Sequence, residues 1–370
     1  MCKHLFKTKA HPDSLTHLVT MGENPPPNME NTLSLLAKYQ LATPKIWPIR
    51  TSDSPPWLCP VPKICPFTEL KKIKRSNEEM RIEFLAHLEL HPTKHVFTDG
   101  SKTEQYVGYA AKLQEEIISN RLPGEASIFT AELYAIRAAL LKIQEDSADR
   151  EKYTIFSDSQ SCILSLKIRI KAPPLAEEIK NIIHRLEERN ISIDFCWVPG
   201  HVGVRGNEEV DVAAKEAARR PNVGTETIAI PHTDMKRAIK EATRRGWQNE
   251  WVSGNHKGRK LREIKREVTE WSSSHNKSRK TETTLTRLRI GHTNATHAYL
   301  MQGHANPPEC ERCRRPITVK HIMVECRKFA AIRNKYYNNP TLSRMLGNDD
   351  KLGIPKLMSY LRETNLLSQI

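Results

Sequence analysis

The sequence has no hydrophobic run that approaches the roughly 18 residues of a membrane span. Residues 1–20 lack the apolar core of a secretory signal peptide, and the eight cysteines are too unevenly scattered for the disulfide framework of a secreted protein. Acidic residues are outnumbered, with 43 Asp and Glu against 58 Lys and Arg. These absences predict an intracellular protein, nuclear or cytoplasmic, with no membrane partner.

Positive charge is what the chain has in excess. A formal charge of +15 indicates a polyanionic partner, with nucleic acid as the first candidate, although a basic surface that only aids solubility is the simpler alternative. The hydrophobic fraction of 38% and charged fraction of 27% are typical of a globular protein with flexible parts. A length of 370 residues predicts two or three domains.

Four acids stand in otherwise apolar surroundings. Asp99 and Asp158 each end a β-branched and aromatic run, whereas Glu132 and Asp211 lie within apolar helical patterns. Taken singly, Asp99 or Asp158 could cap the next element. A buried carboxylate is unfavourable unless it is paired or binds a metal, and no basic residue precedes Asp211 by three or four positions. The four together therefore predict a Mg²⁺ site.

The segments that carry these acids resemble type 1 ribonuclease H, and more narrowly the ribonuclease H domain of non-LTR retrotransposon polyproteins. The resemblance covers about residues 92–220, and its order and spacing are specific. The matching segments are Thr98–Ser101, Thr130–Leu133, Ser157–Ser159 and Trp197–Asp211.

The resemblance implies an endonuclease that cuts the RNA strand of RNA–DNA hybrids with two Mg²⁺ (or Mn²⁺) ions about 3.5–4 Å apart. Asp99 would bind both ions, Glu132 and Asp158 would complete one side, and Asp211 the other. His201, on a loop flanked by glycine, would assist proton transfer or product release, and an ordinary surface histidine is the alternative. The implied substrate contacts, all by analogy, are Gly100, Ser101, Asn207 and Glu208.

The fold that we expect for residues 92–220 is α/β and ribonuclease H-like, a mixed five-stranded sheet with flanking helices in the order βββαβαβα. The predicted strands are His95–Gly100, Val107–Leu113, Glu115–Asn120, Tyr153–Ser157 and Ile191–Val198. The predicted helices are Ser127–Ile143, one that starts at Ser159, Leu175–Glu188 and Asn207–Arg219.

Residues 1–91 hold about half of the 23 prolines, which predicts a poorly ordered connector without long helices or central strands. A short helix at Thr32–Tyr39 is the exception. Cys59 and Cys65 have no second pair near them, so we interpret them as structural or unconstrained rather than metal-binding. In the family a reverse transcriptase would precede this region, but no paired-Asp polymerase signature is present. We therefore expect the C-terminal part of a longer ancestral polyprotein, or a separate piece of one.

Residues 221–300 are predicted to be a basic helical region. From Arg219 to Ile290 there are 18 Lys or Arg against 8 Asp or Glu, which suits phosphate contacts. Trp247 and Trp251 stand four residues apart, and packing together in a small core is the favoured interpretation for them. Outside this region, the basic run Lys167–Lys171 would bind the DNA strand of a hybrid or simply face solvent.

Residues 301–370 are predicted to form a helical zinc-binding module. The spacing Cys310-x2-Cys313-x7-His321-x4-Cys326 matches a structural tetrahedral Zn²⁺ site. This Cys-Cys-His-Cys tail also resembles the C-terminus of many non-LTR retrotransposon polyproteins.

Two alternatives to the nuclease remain open from the sequence. One is a catalytically silent remnant that only binds nucleic acid, and the other is an integrase or resolvase of the same fold. The complete set of four carboxylates with His201 favours the nuclease, and the Asp at position 211 disfavours an integrase, which would usually have Glu there. A monomer is the default oligomeric state.

Overall fold

The computed structural model of the chain describes residues 34, 36–38, 41, 44–48, 61–65, 76–90, 93–221, 228–254, 259–271, 278–303, 306–347 and 353–370. Cys59 and the ends of the predicted helix Thr32–Tyr39 lie outside the described residues. By its contacts the chain divides into two compact units, residues 1–242 and 243–370. None of the helices in the described part of the chain combines the length and apolar character needed to span a membrane.

A six-stranded sheet forms the centre of the first unit, in the order β1-β6-β5-β2-β3-β4. Strands β1, β6, β5 and β2 run parallel to one another. Strand β3 pairs antiparallel with β2, and β4 pairs antiparallel with β3. The predicted mixed α/β fold is therefore confirmed. The strands are β1 (Lys63–Ile64), β2 (Lys94–Lys102), β3 (Val107–Leu113), β4 (Glu116–Leu122), β5 (Lys152–Ser157) and β6 (Ser192–Trp197).

Residues 92–220 contain the five predicted strands, but the sheet has six, because the short strand β1 from the expected connector adds one at the edge. The N–H of Cys65 donates to the carbonyl of Phe195 at 2.8 Å and continues this pairing. Pro62 and Pro66 flank the segment, and because proline has no N–H to donate, they limit it to a short edge strand.

Helices cover both faces of the sheet. The sequence accounts for the start of α2, where the Ser127 hydroxyl caps the helix by accepting from the N–H of Thr130. The helices of this unit are α1 (Asn77–Leu90), α2 (Ile128–Asp146), α3 (Gln160–Ser165), α4 (Pro174–Glu188), α5 (Arg205–Arg219) and α6 (His232–Ser253), the last of which continues into the second unit.

Helix α1 contradicts the expectation that residues 1–91 form no long helix. No proline occurs between Pro66 and Pro92, so the composition that disfavours helix applies only to the earlier part of this region. Phe84 of α1 is fully buried, and its ring meets that of Phe156 edge-on at 5.3 Å. The helix therefore shares the core of the first unit.

The second unit is helical and has its own apolar core, which includes Leu288, Met323 and Tyr360. The Trp271 ring lies beside the Arg289 guanidinium at 3.9 Å. Its elements are α7 (Arg259–Ile264), α8 (Arg279–Ile290), α9 (Asn294–Met301), β7 (Glu309–Cys310), β8 (Arg315–Pro316), a π-helix (His321–Glu325), a 3₁₀ helix (Arg327–Phe329), α10 (Ala330–Tyr336), α11 (Leu342–Leu346) and α12 (Gly353–Glu363).

The two tryptophans of α6 do not form the packed pair that we favoured. Trp247 is 58% exposed. Trp251 is partly buried, and its indole N–H donates to the carbonyl of Lys265 at 3.1 Å. The contact with the segment after α7 replaces the expected contact between the two rings.

Candidate active site

Three of the four predicted carboxylates come together in the first unit. Asp99, Glu132 and Asp158 each offer an oxygen within 4.8 Å of the other two. The strands explain part of this arrangement, since the parallel register of β2 and β5 pairs Thr98 with Ser157 and leaves an Asp next in line on each. Glu132 reaches the same place from the first turns of α2, which packs against β2.

Gly100 allows the close approach that brings Glu132 to Asp99. A Cβ at position 100 would lie 2.7 Å from the backbone nitrogen of Glu132 and 2.9 Å from the Cβ of Ala131, closer than real side chains come. The absence of a side chain at this position therefore lets α2 contact β2 directly. The N–H of Gly100 also interacts with both carboxylates and acts to lower their pKa values.

The cluster nevertheless disfavours full ionisation. Burial, followed by the charges of Asp158 and Asp211, raises the pKa of Asp99 from 3.8 to about 8. Burial and the charges of Asp99 and Asp158 likewise raise the pKa of Glu132 well above its ordinary value. These carboxylates need either protons or a cation, and their oxygens are the ligands that Mg²⁺ takes. The donor set therefore fits a divalent ion.

Asp211 stands slightly apart from the other three carboxylates. It groups with His201 and Glu208, whose ligand atoms and its own lie within 4.8 Å of one another. It is close enough to Asp99 to raise that pKa. The ammonium of Lys215 lies 2.7 Å from its carboxylate, an ion pair that the sequence interpretation missed because only the positions before Asp211 were considered. The i,i+4 spacing on a helix was the available signal.

The segment between β6 and α5 positions His201. Its backbone is left-handed with φ 57°, and its side chain is 72% exposed, 4.0 Å from the Asp211 carboxylate. The Trp197 indole N–H donates to the carbonyl of Asp158 at 2.9 Å, and a Cβ at Gly200 would lie 2.8 Å from the Asp158 carboxylate. The loop thus begins in tight contact with one carboxylate and exposes an imidazole near another.

The predicted substrate contacts differ in their surroundings. Gly100 and Ser101 are buried in β2, and Asn207 is only 2% exposed. The Asn207 side-chain oxygen has no hydrogen-bond partner among the residues described. Glu208 accepts from the N–H of Gly203 at 3.2 Å. Contact of these four residues with substrate stays a prediction.

A separate cluster in the second unit contains the four predicted zinc ligands. Cys310, Cys313, His321 and Cys326 all place ligand atoms within 4.8 Å of one another. The β7–β8 hairpin brings the first two together, since the N–H groups of Cys313 and Arg314 donate to the carbonyl of Cys310. The π-helix and the residue after it supply the other two.

The donor geometry of this second cluster fits Zn²⁺. The Cys326 sulfur lies 3.7 Å from that of Cys310 and 3.9 Å from that of Cys313, close to the roughly 3.8 Å edge of a tetrahedron with 2.3 Å Zn–S bonds. His321 is 3% exposed, and neither of its ring nitrogens has a hydrogen-bond partner within the described ranges. The His321 side chain lowers the pKa of Cys310 to about 6. A thiolate beside a buried imidazole is the state that binds metal.

Comparisons with known proteins find a family match over the part of the chain that contains the carboxylates. Residues 91–219 match the family model of RNase H. The crystal structure of RNase H1 from Halobacterium salinarum is similar over 34% of this chain and 96% of its own, with 20% identity and a TM-score of 0.26. The N-terminal RNase H domain of a Mycobacterium tuberculosis protein, solved as a fusion with maltose-binding protein, is similar over 40% and 99%, with 18% identity and a TM-score of 0.27. On the family match, residues 91–219 are a ribonuclease H domain, a nuclease of the hydrolase class.

Proposed function

We propose that the chain is a Mg²⁺-dependent endonuclease that hydrolyses the RNA strand of RNA–DNA hybrids. The observation that carries this proposal is the convergence of Asp99, Glu132 and Asp158 from three different elements of a ribonuclease H domain. The raised pKa values of Asp99 and Glu132 support it, because a protein gains nothing in stability from gathering buried acids without a cation.

The four carboxylates would bind metal ions at two positions. The charges of Asp158 and Asp211 both act on Asp99. Asp99 would contact both metal positions, with Glu132 and Asp158 on one side and Asp211 on the other. When bound, two Mg²⁺ ions supply the charge that activates a water and stabilises the leaving 3′ oxygen. The chain itself then needs no nucleophilic side chain.

Asp211 would have to give up its ion pair with Lys215 in order to bind a metal ion. Its carboxylate pairs with the Lys215 ammonium at 2.7 Å, so a metal there would compete with this ion pair. His201 is exposed on its loop, 4.0 Å from the same carboxylate. It would accept a proton or ease the departure of product.

The rest of the chain is proposed to be accessory. The Cys310 cluster would hold a structural Zn²⁺ ion in the second unit, and the basic residues between 221 and 300 would contact phosphates. The Cys-Cys-His-Cys tail supports an origin in a non-LTR retrotransposon, by resemblance alone. The four-part division at residues 91, 220 and 300 also stays a prediction.

Hydrolysis of a defined substrate tests the nuclease. The purified chain, incubated with Mg²⁺ and a hybrid labelled on its RNA strand, should cut that strand internally. Asp158→Asn should lower the rate at least about a hundredfold, because the metal charge that it helps to hold is worth several kcal/mol in the transition state.

Asp149→Asn is the matched control for this substitution. Asp149 pairs with Arg189 on the surface of the same domain, and its loss should leave the rate unchanged. Equal rates for Asp158→Asn and wild type would refute the proposal. Tight binding of the hybrid without any cleavage would instead support a silent remnant, and cleavage of duplex DNA in preference would support a different nuclease.

A further inference from the structure

A second cluster of metal-ligand types lies in the first unit, away from the carboxylates. Cys65, His87 and Cys196 each bring a ligand atom within 4.8 Å of the other two. They come from three separate elements: Cys65 directly follows the edge strand β1, His87 lies in the last turn of α1, and Cys196 lies in β6. Residues 1–91 were expected to be a connector, and Cys65 was interpreted as structural or unconstrained rather than metal-binding. Its grouping with the other two appears only in the fold.

Strand pairing fixes the two cysteines relative to each other. The parallel register pairs Lys63 with Asp194 and Ile64 with Phe195, and the N–H of Cys65 continues the ladder. The next pair in this register is Cys65 with Cys196, so both side chains are on one face of neighbouring strands about 4.8 Å apart.

Helix α1 brings the third ligand onto that face. The Nε2 atom of His87 lies 3.7 Å from the sulfur of Cys196. The contact of Phe84 with Phe156, one turn earlier on the same helix, holds α1 against the sheet at this place. The fully buried Phe84 ring therefore fixes the part of α1 that carries the His87 imidazole.

The surroundings suit a cation that prefers sulfur and nitrogen. Cys196 is fully buried and Cys65 is 9% exposed, and both are free thiols. A cavity of about 30 Å³, lined by Cys65, His87 and the carboxylate residue Asp194 among others, has room for a water molecule. Two thiolates, one imidazole and a water form a four-coordinate set of the kind that Zn²⁺ takes.

We propose that Cys65, His87 and Cys196 bind a Zn²⁺ ion, with a water in the adjoining cavity as its fourth ligand. The ion joins the edge strand and α1, both of which precede the family match that starts at residue 91, to the sheet of the ribonuclease H domain. Each thiol releases its proton to solvent as it binds, so binding is tighter at higher pH. The site is independent of the carboxylates and of hydrolysis.

Cobalt binding to the full chain tests the site. Cys310→Ser with Cys326→Ser removes the cluster of the second unit, and the reduced double variant is titrated with Co²⁺. A thiolate-to-cobalt charge-transfer band should saturate at one equivalent. Adding Cys65→Ser should abolish that band, and adding His87→Gln should weaken Co²⁺ binding at least tenfold. Cys162→Ser, which removes another buried thiol of the same domain, should leave the band unchanged.

Zinc content gives a second measurement that does not depend on the spectrum. The double variant should retain one Zn²⁺ per chain after dialysis, and the triple variant none, while far-UV circular dichroism and thermal melting check that both fold alike. The proposal is overturned by a double variant without zinc or a thiolate band, by a band that survives Cys65→Ser, or by a native mass showing Cys65 and Cys196 oxidised to a disulfide. None of these results bears on whether hybrids are cut.

Discussion

Asp99 is the residue whose surroundings most clearly govern the behaviour of the site with pH. Its pKa is raised to about 8, first by burial and then by the charges of Asp158 and Asp211. Between pH 4 and 8 the folded chain therefore holds a proton that the unfolded chain has lost. The free energy of unfolding must fall as pH rises through this window, because the unfolded state binds fewer protons there.

We expect the wild-type chain without Mg²⁺ to lose at least about 1 kcal/mol of stability between pH 5 and 8, since one pKa unit corresponds to about 1.4 kcal/mol. Asp99→Asn removes the titrating group and should lose clearly less over the same range. Urea unfolding at the two pH values measures both. An equal loss of unfolding free energy in the two proteins would show that the pKa of Asp99 is not raised in the folded chain.

The affinity of the site for Mg²⁺ should depend on the protonation of Asp99. Since a bound divalent ion displaces the proton of Asp99, the Mg²⁺ concentration that gives half-maximal hydrolysis should fall by about tenfold from pH 6 to 7 and by about fivefold from pH 7 to 8. Hydrolysis rates over a Mg²⁺ series at several pH values measure this. A half-maximal concentration that does not change with pH would contradict the raised pKa.

Gly100 carries a steric prediction at the same scale. Gly100→Ala would bring a Cβ within 3.0 Å of three atoms of α2, and we expect a loss of about 1–3 kcal/mol as the helix moves away from β2. Gly124→Ala is the control, because there the nearest atom, the carbonyl oxygen of Gln105, is 3.1 Å away and the next is 4.0 Å. Thermal unfolding compares them, and similar midpoints would refute the close contact.

At the scale of elements, helix α1 extends the folded unit beyond the match to the family. Phe84→Ala should lower the stability of the first unit by about 3 kcal/mol, because the ring is fully buried and a cavity would remain against Phe156. Leu85→Ala, at a position 41% exposed, should change it by less than about 0.5 kcal/mol. Urea unfolding distinguishes them, and equal small effects would mean that α1 is not part of the core.

The elements also show which features the sequence could predict. Strands β2 and β5 were recognisable because their β-branched and aromatic runs are local signals. Asp158 directly follows the end of β5, whereas β2 continues past Asp99 to Lys102. Strand β1 was not, because two residues carry no periodicity and their pairing with β6 is purely tertiary. Helix α1 was missed because proline content was averaged over residues 1–91, which hid the proline-free stretch at residues 67–91.

The same limit applies to side-chain groups. The four ligands of the Cys310 cluster were predictable because they lie within 17 positions of one another in the sequence. The grouping of Cys65 with Cys196 was not, because 131 positions separate them and only strand register joins them. Spacing along the chain reveals local sites, whereas sites assembled by a sheet require the fold.

At the scale of the whole molecule, the two units divide the two predicted kinds of metal site between them. All four carboxylates lie in residues 1–242, and all four ligands of the Cys310 cluster lie in residues 243–370. Around the latter, Met323 is fully buried and Arg333 donates to the carbonyl of Cys326 at 3.1 Å. The fold of the second unit is thus expected to depend on a metal that hydrolysis does not use.

A substitution in each unit should therefore separate hydrolysis from the stability of the second unit. Cys326→Ser should destabilise the second unit, because structural zinc contributes directly to folding, yet it should change the rate on a short hybrid less than about threefold. Asp158→Asn should abolish hydrolysis and leave the second unit as resistant to protease as in wild type. Limited proteolysis and the cleavage assay, run on the same preparations, measure both. A Cys326→Ser chain that is cut no faster by protease than wild type would show that the Cys310 cluster holds no structural metal, whatever the nuclease does.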